Sequence, residues 1–105
     1  MYFLSVFKSL QISVRFFTIL REIAGKKEET LQFSKNQKVT VNAVLEKLGE
    51  QYGKAFREYV YDSNGEVKGF LQLLVNGRSL SKTEGLNSEL SDGDVIAILP
   101  PVSGG

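Results

Sequence analysis

The sequence contains no cysteine and no histidine among its 105 residues. This absence excludes disulfide bonds, thiolate nucleophiles, iron–sulfur ligation and the usual zinc ligands, and it removes the most common general base for neutral pH. There is also no tryptophan, and the two prolines are adjacent, at Pro100 and Pro101. We therefore expect neither independent catalysis nor a metal site.

Long apolar runs are also missing. No stretch approaches the roughly 20 residues that cross a bilayer, and no Asn-x-Ser/Thr sequon points to secretion. The opening MYFLSVFKSL is largely apolar, but it lacks a basic segment and a small-residue cleavage pattern, and Lys8 interrupts it. We expect a cytoplasmic protein in which residues 1–11 form an N-terminal extension: an extra strand, a packed tail, or the product of a start codon placed too early.

Length and charge indicate a single domain over residues 1–105. The apolar fraction of 42% suffices for one modest core. Thirteen basic and twelve acidic side chains leave a formal net charge of +1, so no overall field draws the protein to nucleic acid or to an anionic membrane. Specific patches must select its partners.

Two strands are predicted in the first third of the chain. Ile12, Val14 and Phe16 alternate with polar residues, which indicates a strand with its even positions in the core. The stretch TILREIAG has the pattern of a short helical turn ended by Gly25. The alternation resumes around Leu31, where a second strand is expected to pair with the first as a hairpin.

One principal helix is expected in the middle of the chain. Five apolar residues recur at helical spacing on one face: Val41, Val44, Leu45, Leu48 and Tyr52. Thr40 is a suitable N-cap, and Gly53 is a suitable end. Because Gly49 inside the pattern costs about 1 kcal/mol relative to alanine, packing against a sheet must hold this helix.

The second half of the chain predicts further strands. Alternating apolar residues in LQLLV lead into Asn76-Gly77, the strongest short hairpin signal, which returns the chain into a short fourth strand at 78–80. The continuous apolar run VIAIL at 95–99 is typical of a central strand. Residues 56–69 show no clear pattern except a tight turn at Asn64-Gly65.

The expected architecture is therefore α+β. A mixed sheet of four to five strands carries the principal helix packed on one face.

Recognisable catalytic and nucleotide-binding motifs are scarce. Neither Gly-x-x-x-x-Gly-Lys-Ser/Thr nor Gly-x-Gly-x-x-Gly occurs, so no cofactor is expected to bind this chain. Asp92 and Asp94 flank Gly93, and local hydrogen bonds in a turn explain them better than paired catalytic carboxylates do. The mixed charges of KKEE suit an exposed loop.

The C-terminal segment PPVSGG, residues 100–105, has an unusual composition. The prolines lack N–H groups and fix φ, so they end sheet pairing and project an extended tail of about 20 Å. Because Gly104 and Gly105 have no Cβ atom, they can enter a channel of a partner protein that is too narrow for other residues. The α-carboxylate of Gly105 is ionised at neutral pH and inert until a partner enzyme activates it. A frayed end of no function is the alternative.

Three segments, VRFFTILREIAG, VNGRSL and LSDGDVIAILPPVSGG, together resemble the MoaD-like family, the small, sulfur-carrying subunit of molybdopterin synthase. The likeness covers residues 12–105. It implies the ubiquitin-like β-grasp fold, which agrees with the order of elements derived above.

The resemblance also implies a mechanism. An E1-like (MoeB-like) adenylyltransferase would use ATP and magnesium to convert the Gly105 carboxylate to an acyl-adenylate, and a sulfur donor would then replace AMP to give a thiocarboxylate. The tail would enter the large (MoaE-like) synthase subunit and pass sulfur to the pterin precursor. The inserted residues would be Pro100, Pro101, Val102, Ser103 and Gly104. Catalytic groups would belong to the partners.

A docking surface follows in part from the family and in part from periodicity. In the family, the second Phe of FF, here Phe17, and the residue before Pro-Pro, here Leu99, lie on an exposed sheet face that docks both partners. Alternation along strands adds Leu74 and Ala97. We predict an apolar patch of these four residues beside the root of the tail. The alternative is that the N-terminal extension covers Phe17.

Other functions share the diglycine end. The thiazole-synthesis carrier is typically shorter and lacks residues 56–69, and a carrier for tRNA thiolation would use the same chemistry. A ubiquitin-like modifier would be joined through Gly105 to lysines of target proteins, after the same adenylation. A pure interaction domain would keep its function without Gly104 and Gly105.

Overall fold

The computed structural model describes residues 9–81 and 85–101. Its elements are, in chain order, β1 (Ser9–Phe16), α1 (Ile19–Ala24), β2 (Glu28–Ser34), α2 (Val41–Tyr52), α3 (Lys54–Val60), β3 (Gln72–Val75), β4 (Arg78–Ser79), a 3-10 helix (Gly85–Asn87) and β5 (Val95–Leu99). They form one five-stranded sheet in the order β2-β1-β5-β3-β4. The predicted α+β architecture is confirmed, and VIAIL is the central strand, parallel to β1 and antiparallel to β3.

The core lies between the sheet and α2. The predicted core residues of β1, Ile12, Val14 and Phe16, are buried, and so are the inward residues of β5, Ile96 and Ile98. Of the predicted helical stripe, four residues are completely buried, and Tyr52 is half-buried with its ring edge-on to Phe16 at 5.8 Å between centroids. Burial of this apolar surface supplies the stability that helix propensity alone does not.

The predicted helix ends are confirmed. The Thr40 Oγ1 accepts a hydrogen bond from the Ala43 N–H at 3.2 Å and thereby satisfies one of the donors left open at a helix start. Gly53, with φ of 80°, ends α2 and donates its N–H to the Gly49 carbonyl at 2.9 Å. Gly25 ends α1 in the left-handed region, with φ of 76°.

A polar cluster ties β2 to the end of α2. The Glu29 carboxylate accepts hydrogen bonds from the Tyr52 hydroxyl, from the Gln51 side-chain amide at 2.9 Å and from the Lys26 ammonium at 3.0 Å. The hydrogen bond from Tyr52, helped by Lys26 and Gln51 and opposed by partial burial, holds the pKa of Glu29 below its usual value. Burial and the neighbouring Glu29 raise the pKa of Tyr52.

Two boundaries differ from the sequence prediction by about three residues, and β4 ends at Ser79, one residue earlier than predicted. The first strand begins at Ser9 instead of Ile12, so residues 9–11 of the expected extension are part of the sheet, where they pair with Gln32, Phe33 and Ser34. Strand β2 begins at Glu28, and only the first half of KKEE is therefore loop. Residues 1–8 of the expected extension lie outside the described residues. Cross-strand pairing decided both boundaries, and single-strand periodicity carries no information about it.

Helix α3 was not predicted. It begins directly after Gly53, and its apolar residues Phe56 and Val60 are buried at spacing i, i+4, the one signal in the sequence for this helix. The Arg57 Nη1 donates to the Gly49 carbonyl at 2.7 Å and fastens α3 to α2. No helix in the described ranges has the length and apolar character needed to cross a membrane.

Candidate functional site: the root of the C-terminal tail

The turn before β5 fixes where the last strand begins. Asp92 Oδ1 accepts from the Gln11 N–H at 2.7 Å, and Asp94 Oδ2 accepts from the Ser91 N–H at 2.8 Å. The predicted local turn bond is thus found for Asp94, whereas the Asp92 carboxylate fastens the turn to the backbone of β1. Within residues 9–81 and 85–101, no group of three or more acidic side chains is arranged to hold a metal ion.

The β3–β4 hairpin holds the same strand from its other side. Asn76 has φ of 51° and Gly77 has φ of 84°, the left-handed pair that a two-residue hairpin requires. The Asn76 side chain donates to Asp94 Oδ1 at 2.9 Å and accepts from the Val95 N–H at 2.9 Å. The start of β5 is thus tied to both neighbouring strands.

The tail leaves the sheet at the other end of β5. Leu99 is the last residue of the strand and lies opposite Gln72 of β3. Pro100 is half-buried and Pro101 is exposed, and neither belongs to the strand. The predicted role of the prolines in ending the pairing agrees with this position. Val102, Ser103, Gly104 and Gly105 lie outside the described residues.

Three of the four predicted docking residues share one sheet face. Along β5, Ile96 and Ile98 point into the core, whereas Val95, Ala97 and Leu99 alternate onto the face turned away from it and are half-buried. Leu74 lies directly opposite Ala97 in the antiparallel pair. We call Phe17, Leu74, Ala97 and Leu99 the sheet-face patch.

Phe17 directly follows β1 at the same end of the sheet. Phe16, the last residue of β1, pairs with Ile98, so Phe17 leaves the sheet level with the end of β5. It is half-buried, and the Arg21 guanidinium carbon lies 5.6 Å from its ring centroid. The Arg21 Nε donates to the Phe16 carbonyl at 3.1 Å, which positions the cation over the ring. That Phe17 binds a partner remains a prediction.

Sequence reasoning missed two members of this surface. Val95 is in phase with Ala97 and shares its face, so the alternation that selected Ala97 also selects Val95. Arg15 lies beside Ala97 on one side and opposite Glu28 on the other. Only the register of β1 against β5 reveals that Arg15 gives the sheet-face patch a basic edge.

The sequence profile of the ThiS family matches residues 14–105 and so includes the tail. The chain belongs to the ThiS family. Among curated proteins, it is 33% identical over 96 residues to small archaeal modifier protein 3 of Haloferax volcanii, covering 91% of this chain and all of that one. A candidate sulfur carrier protein of Archaeoglobus fulgidus is 38% identical over 69 residues, covering 66% and 77%.

Solved structures agree with this membership. A candidate molybdopterin converting factor subunit 1 of Pyrococcus furiosus is similar with a TM-score of 0.67 and 29% identity, covering 89% of this chain and 99% of that one. The expected resemblance to MoaD-like proteins and the ubiquitin-like β-grasp fold are thereby confirmed. The two curated relatives thus carry the names of a modifier and of a sulfur carrier.

Proposed function

We propose that this protein carries sulfur for the synthesis of molybdopterin, the organic part of the molybdenum and tungsten cofactors, on the carboxyl group of Gly105. The observation that supports this proposal most directly is the position of the tail root, by which we mean Leu99 and Pro100, where the chain leaves the sheet. The central strand ends at Leu99 with Pro100 next to it, and the half-buried apolar residues Leu74, Ala97 and Leu99 lie on the adjoining sheet face. Such a surface fits a protein that presents its end to other enzymes.

The chemistry begins with activation. The Gly105 carboxylate attacks the α-phosphorus of ATP on an E1-like (MoeB-like) enzyme, which binds magnesium, and pyrophosphate leaves. A sulfide-level donor then attacks the acyl carbon and AMP leaves, so that a thiocarboxylate remains. In the large (MoaE-like) subunit this sulfur is transferred to the pterin precursor, and water restores the carboxylate. Two charged carriers serve each dithiolene, because one carrier delivers one sulfur atom.

The contribution of this chain is presentation, not catalysis. It has no cysteine or histidine, and the carboxylates of Asp92 and Asp94 before β5 accept backbone hydrogen bonds. Stiff prolines and small terminal residues suit insertion into a narrow site, which the partner provides. The chain therefore acts as the sulfur-donating subunit of a two-protein sulfurtransferase.

The test is the intact mass of the protein after incubation with an E1-like adenylyltransferase, ATP, magnesium and a sulfur donor. Exchange of one oxygen for sulfur is expected, confined to the C-terminal peptide. A variant lacking Gly104 and Gly105 is the matched control and should keep its mass. An unchanged wild-type mass with an enzyme that charges its own carrier would overturn the proposal.

A second candidate is conjugation to lysine side chains as a ubiquitin-like modifier. It is favoured by the similarity to small archaeal modifier protein 3, which extends over the whole of that protein. Both functions start from the same adenylate and diverge only in the nucleophile that displaces AMP. A Gly-Gly remnant on lysines of other proteins would support conjugation, whereas loss of molybdopterin on gene deletion would support the carrier. A single protein with both results would perform both functions.

A further inference from the structure

Two large apolar side chains are strongly exposed in the described part of the chain. Ile19 is 46% exposed and Phe70 is 49% exposed, and both lie outside the sheet-face patch. Single exposed apolar residues are common in proteins, but the position of these two in the fold is specific.

Both residues lie at the end of the sheet where the tail begins. Ile19 follows the last pair of β1 with β5, Phe16 with Ile98, by three residues. Phe70 precedes the first pair of β3 with β5, Gln72 with Leu99, by two residues. Because β5 lies between β1 and β3, these two exposed residues belong to the connections that join the flanking strands at the end of the sheet where the chain leaves it. We call Ile19 and Phe70 the tail-flanking pair.

Phe70 is held in place by its surroundings. It lies in the turn between Lys68 and Leu71, which is closed by the Leu71 N–H donating to the Lys68 carbonyl at 3.2 Å. Leu71 is buried, and the Lys68 N–H donates to the Val60 carbonyl at 2.8 Å. The Tyr59 ring contacts Phe70 edge-on, with 6.5 Å between centroids. A phenylalanine in a turn, where polar residues are usual, is therefore displayed in a fixed position.

The backbone at Ile19 is held by its neighbour in α1. It is the first residue of α1, and the next residue, Leu20, is buried and donates its N–H to the Phe17 carbonyl at 3.1 Å. A fixed apolar side chain loses little conformational entropy when a partner covers it. This property is typical of residues that dominate the binding energy of an interface.

Each side of the tail root also carries a cation against an aromatic ring. Arg21 lies over Phe17 on the β1 side, and the Lys68 Nζ lies 5.7 Å from the Phe70 ring centroid on the β3 side. A complementary partner therefore presents apolar residues with carboxylates beside them. The six residues after Leu99 reach at most about 20 Å, so an enzyme that acts on Gly105 must approach the tail root closely.

We propose that the tail-flanking pair docks on an apolar, carboxylate-edged rim around the tail channel of the adenylating enzyme. This inference rests on the proposed function, in which Gly105 is adenylated. It adds a contact on both sides of the tail, separate from the sheet-face patch, that sets the affinity for the enzyme and leaves the chemical step unchanged.

The test is ATP–pyrophosphate exchange catalysed by the E1-like adenylyltransferase of the same genome, with this protein as the varied substrate. Ile19→Glu and Phe70→Glu are expected to raise KM about tenfold or more with kcat nearly unchanged, since they remove binding and leave the tail intact. Phe70→Leu, which keeps an apolar side chain, should stay within about threefold of the wild type.

The matched control is Gln37→Glu, which adds the same charge to an exposed loop at the opposite end of the sheet, next to Ser34, the partner of Ser9. Its KM should equal that of the wild type, and all variants should keep the wild-type melting temperature. Wild-type KM in both Glu variants would overturn this inference alone, whereas no exchange with the wild-type protein would overturn the proposed function as well. Self-association of the wild type that Phe70→Glu abolishes would assign the pair to a dimer interface instead.

Discussion

Leu74 and Ala97 lie directly opposite each other across the β3–β5 pair, on the sheet face turned away from the core. Their pairing joins apolar residues far apart in sequence into one surface. Leu99 follows on the same face of β5, and the tail begins at the next residue. A partner that binds this face therefore meets the tail root at its edge.

The first prediction concerns Phe17 in the sheet-face patch. Phe17→Asp should fold, since Phe17 is only half-buried, yet bind the large synthase subunit at least about tenfold more weakly, because a charge replaces an apolar contact. Isothermal titration calorimetry with the large subunit measures this. Gln32→Asp, an exposed position on edge strand β2, is the matched control and should bind normally. Equal affinity of both variants would remove Phe17 from the patch.

The second prediction concerns Gly49 and Arg57. A Cβ at position 49 would lie 3.1 Å from the Arg57 Cγ. The Arg57 Nη1 also donates a hydrogen bond to the Gly49 carbonyl, which holds this side chain in place. Gly49→Ala should therefore gain less than the roughly 1 kcal/mol expected from helix propensity. The full gain should appear only in an Arg57→Ala background. Urea unfolding of both single variants and the double variant measures this coupling, and additive changes would contradict it.

The third prediction concerns the hairpin residue Asn76. Asn76→Ala removes two side-chain hydrogen bonds at the start of β5 and places alanine at a φ of 51°. A loss of about 2–3 kcal/mol in the free energy of unfolding is expected. Asn64→Ala, in the exposed turn after α3, removes no side-chain bond described for the chain and should cost much less. Similar losses in chemical denaturation would refute this role for Asn76.

The fourth prediction concerns the pH dependence of the Tyr52–Glu29 contact. Because the folded pKa of Glu29 is lowered, its contribution to stability is present above the unfolded pKa of about 4.3 and is lost as pH falls through the folded value. Because the folded pKa of Tyr52 is raised, its contribution is lost as pH rises above about 10. Tyr52→Phe should thus destabilise most at neutral pH.

Thermal unfolding of the wild type and of Tyr52→Phe at a series of pH values measures the difference in stability between them. This difference should shrink towards both acid and alkaline pH. Tyr59→Phe is the control, because it removes a hydroxyl with no hydrogen-bond partner among the residues described, and it should change neutral-pH stability little. A constant difference between wild type and Tyr52→Phe at every pH would contradict the contact.

Periodicity and turn chemistry predicted most of the fold. The alternation at Ile12, Val14 and Phe16, the cap at Thr40 and the Asn76-Gly77 hairpin all occur as expected, because each depends on a few neighbouring residues. Helix α3 was not predicted because Phe56 and Val60 are the only pair of buried apolar residues at helical spacing in it. So short a helix is stabilised by tertiary contacts with α2, which the sequence pattern does not show.

The sequence by itself determined which side-chain chemistry is missing, since it contains no cysteine and no histidine, and the composition of residues 100–105 led to the prediction that Gly105 carries the reacting carboxyl group. The tertiary structure alone decided what surrounds the root of that segment. Pairing of β5 between β1 and β3 sets Leu74 opposite Ala97 and brings the connections that contain Ile19 and Phe70 to the end of the sheet where β5 ends. These neighbours come from distant parts of the chain, and strand order and register, which local patterns do not encode, bring them together.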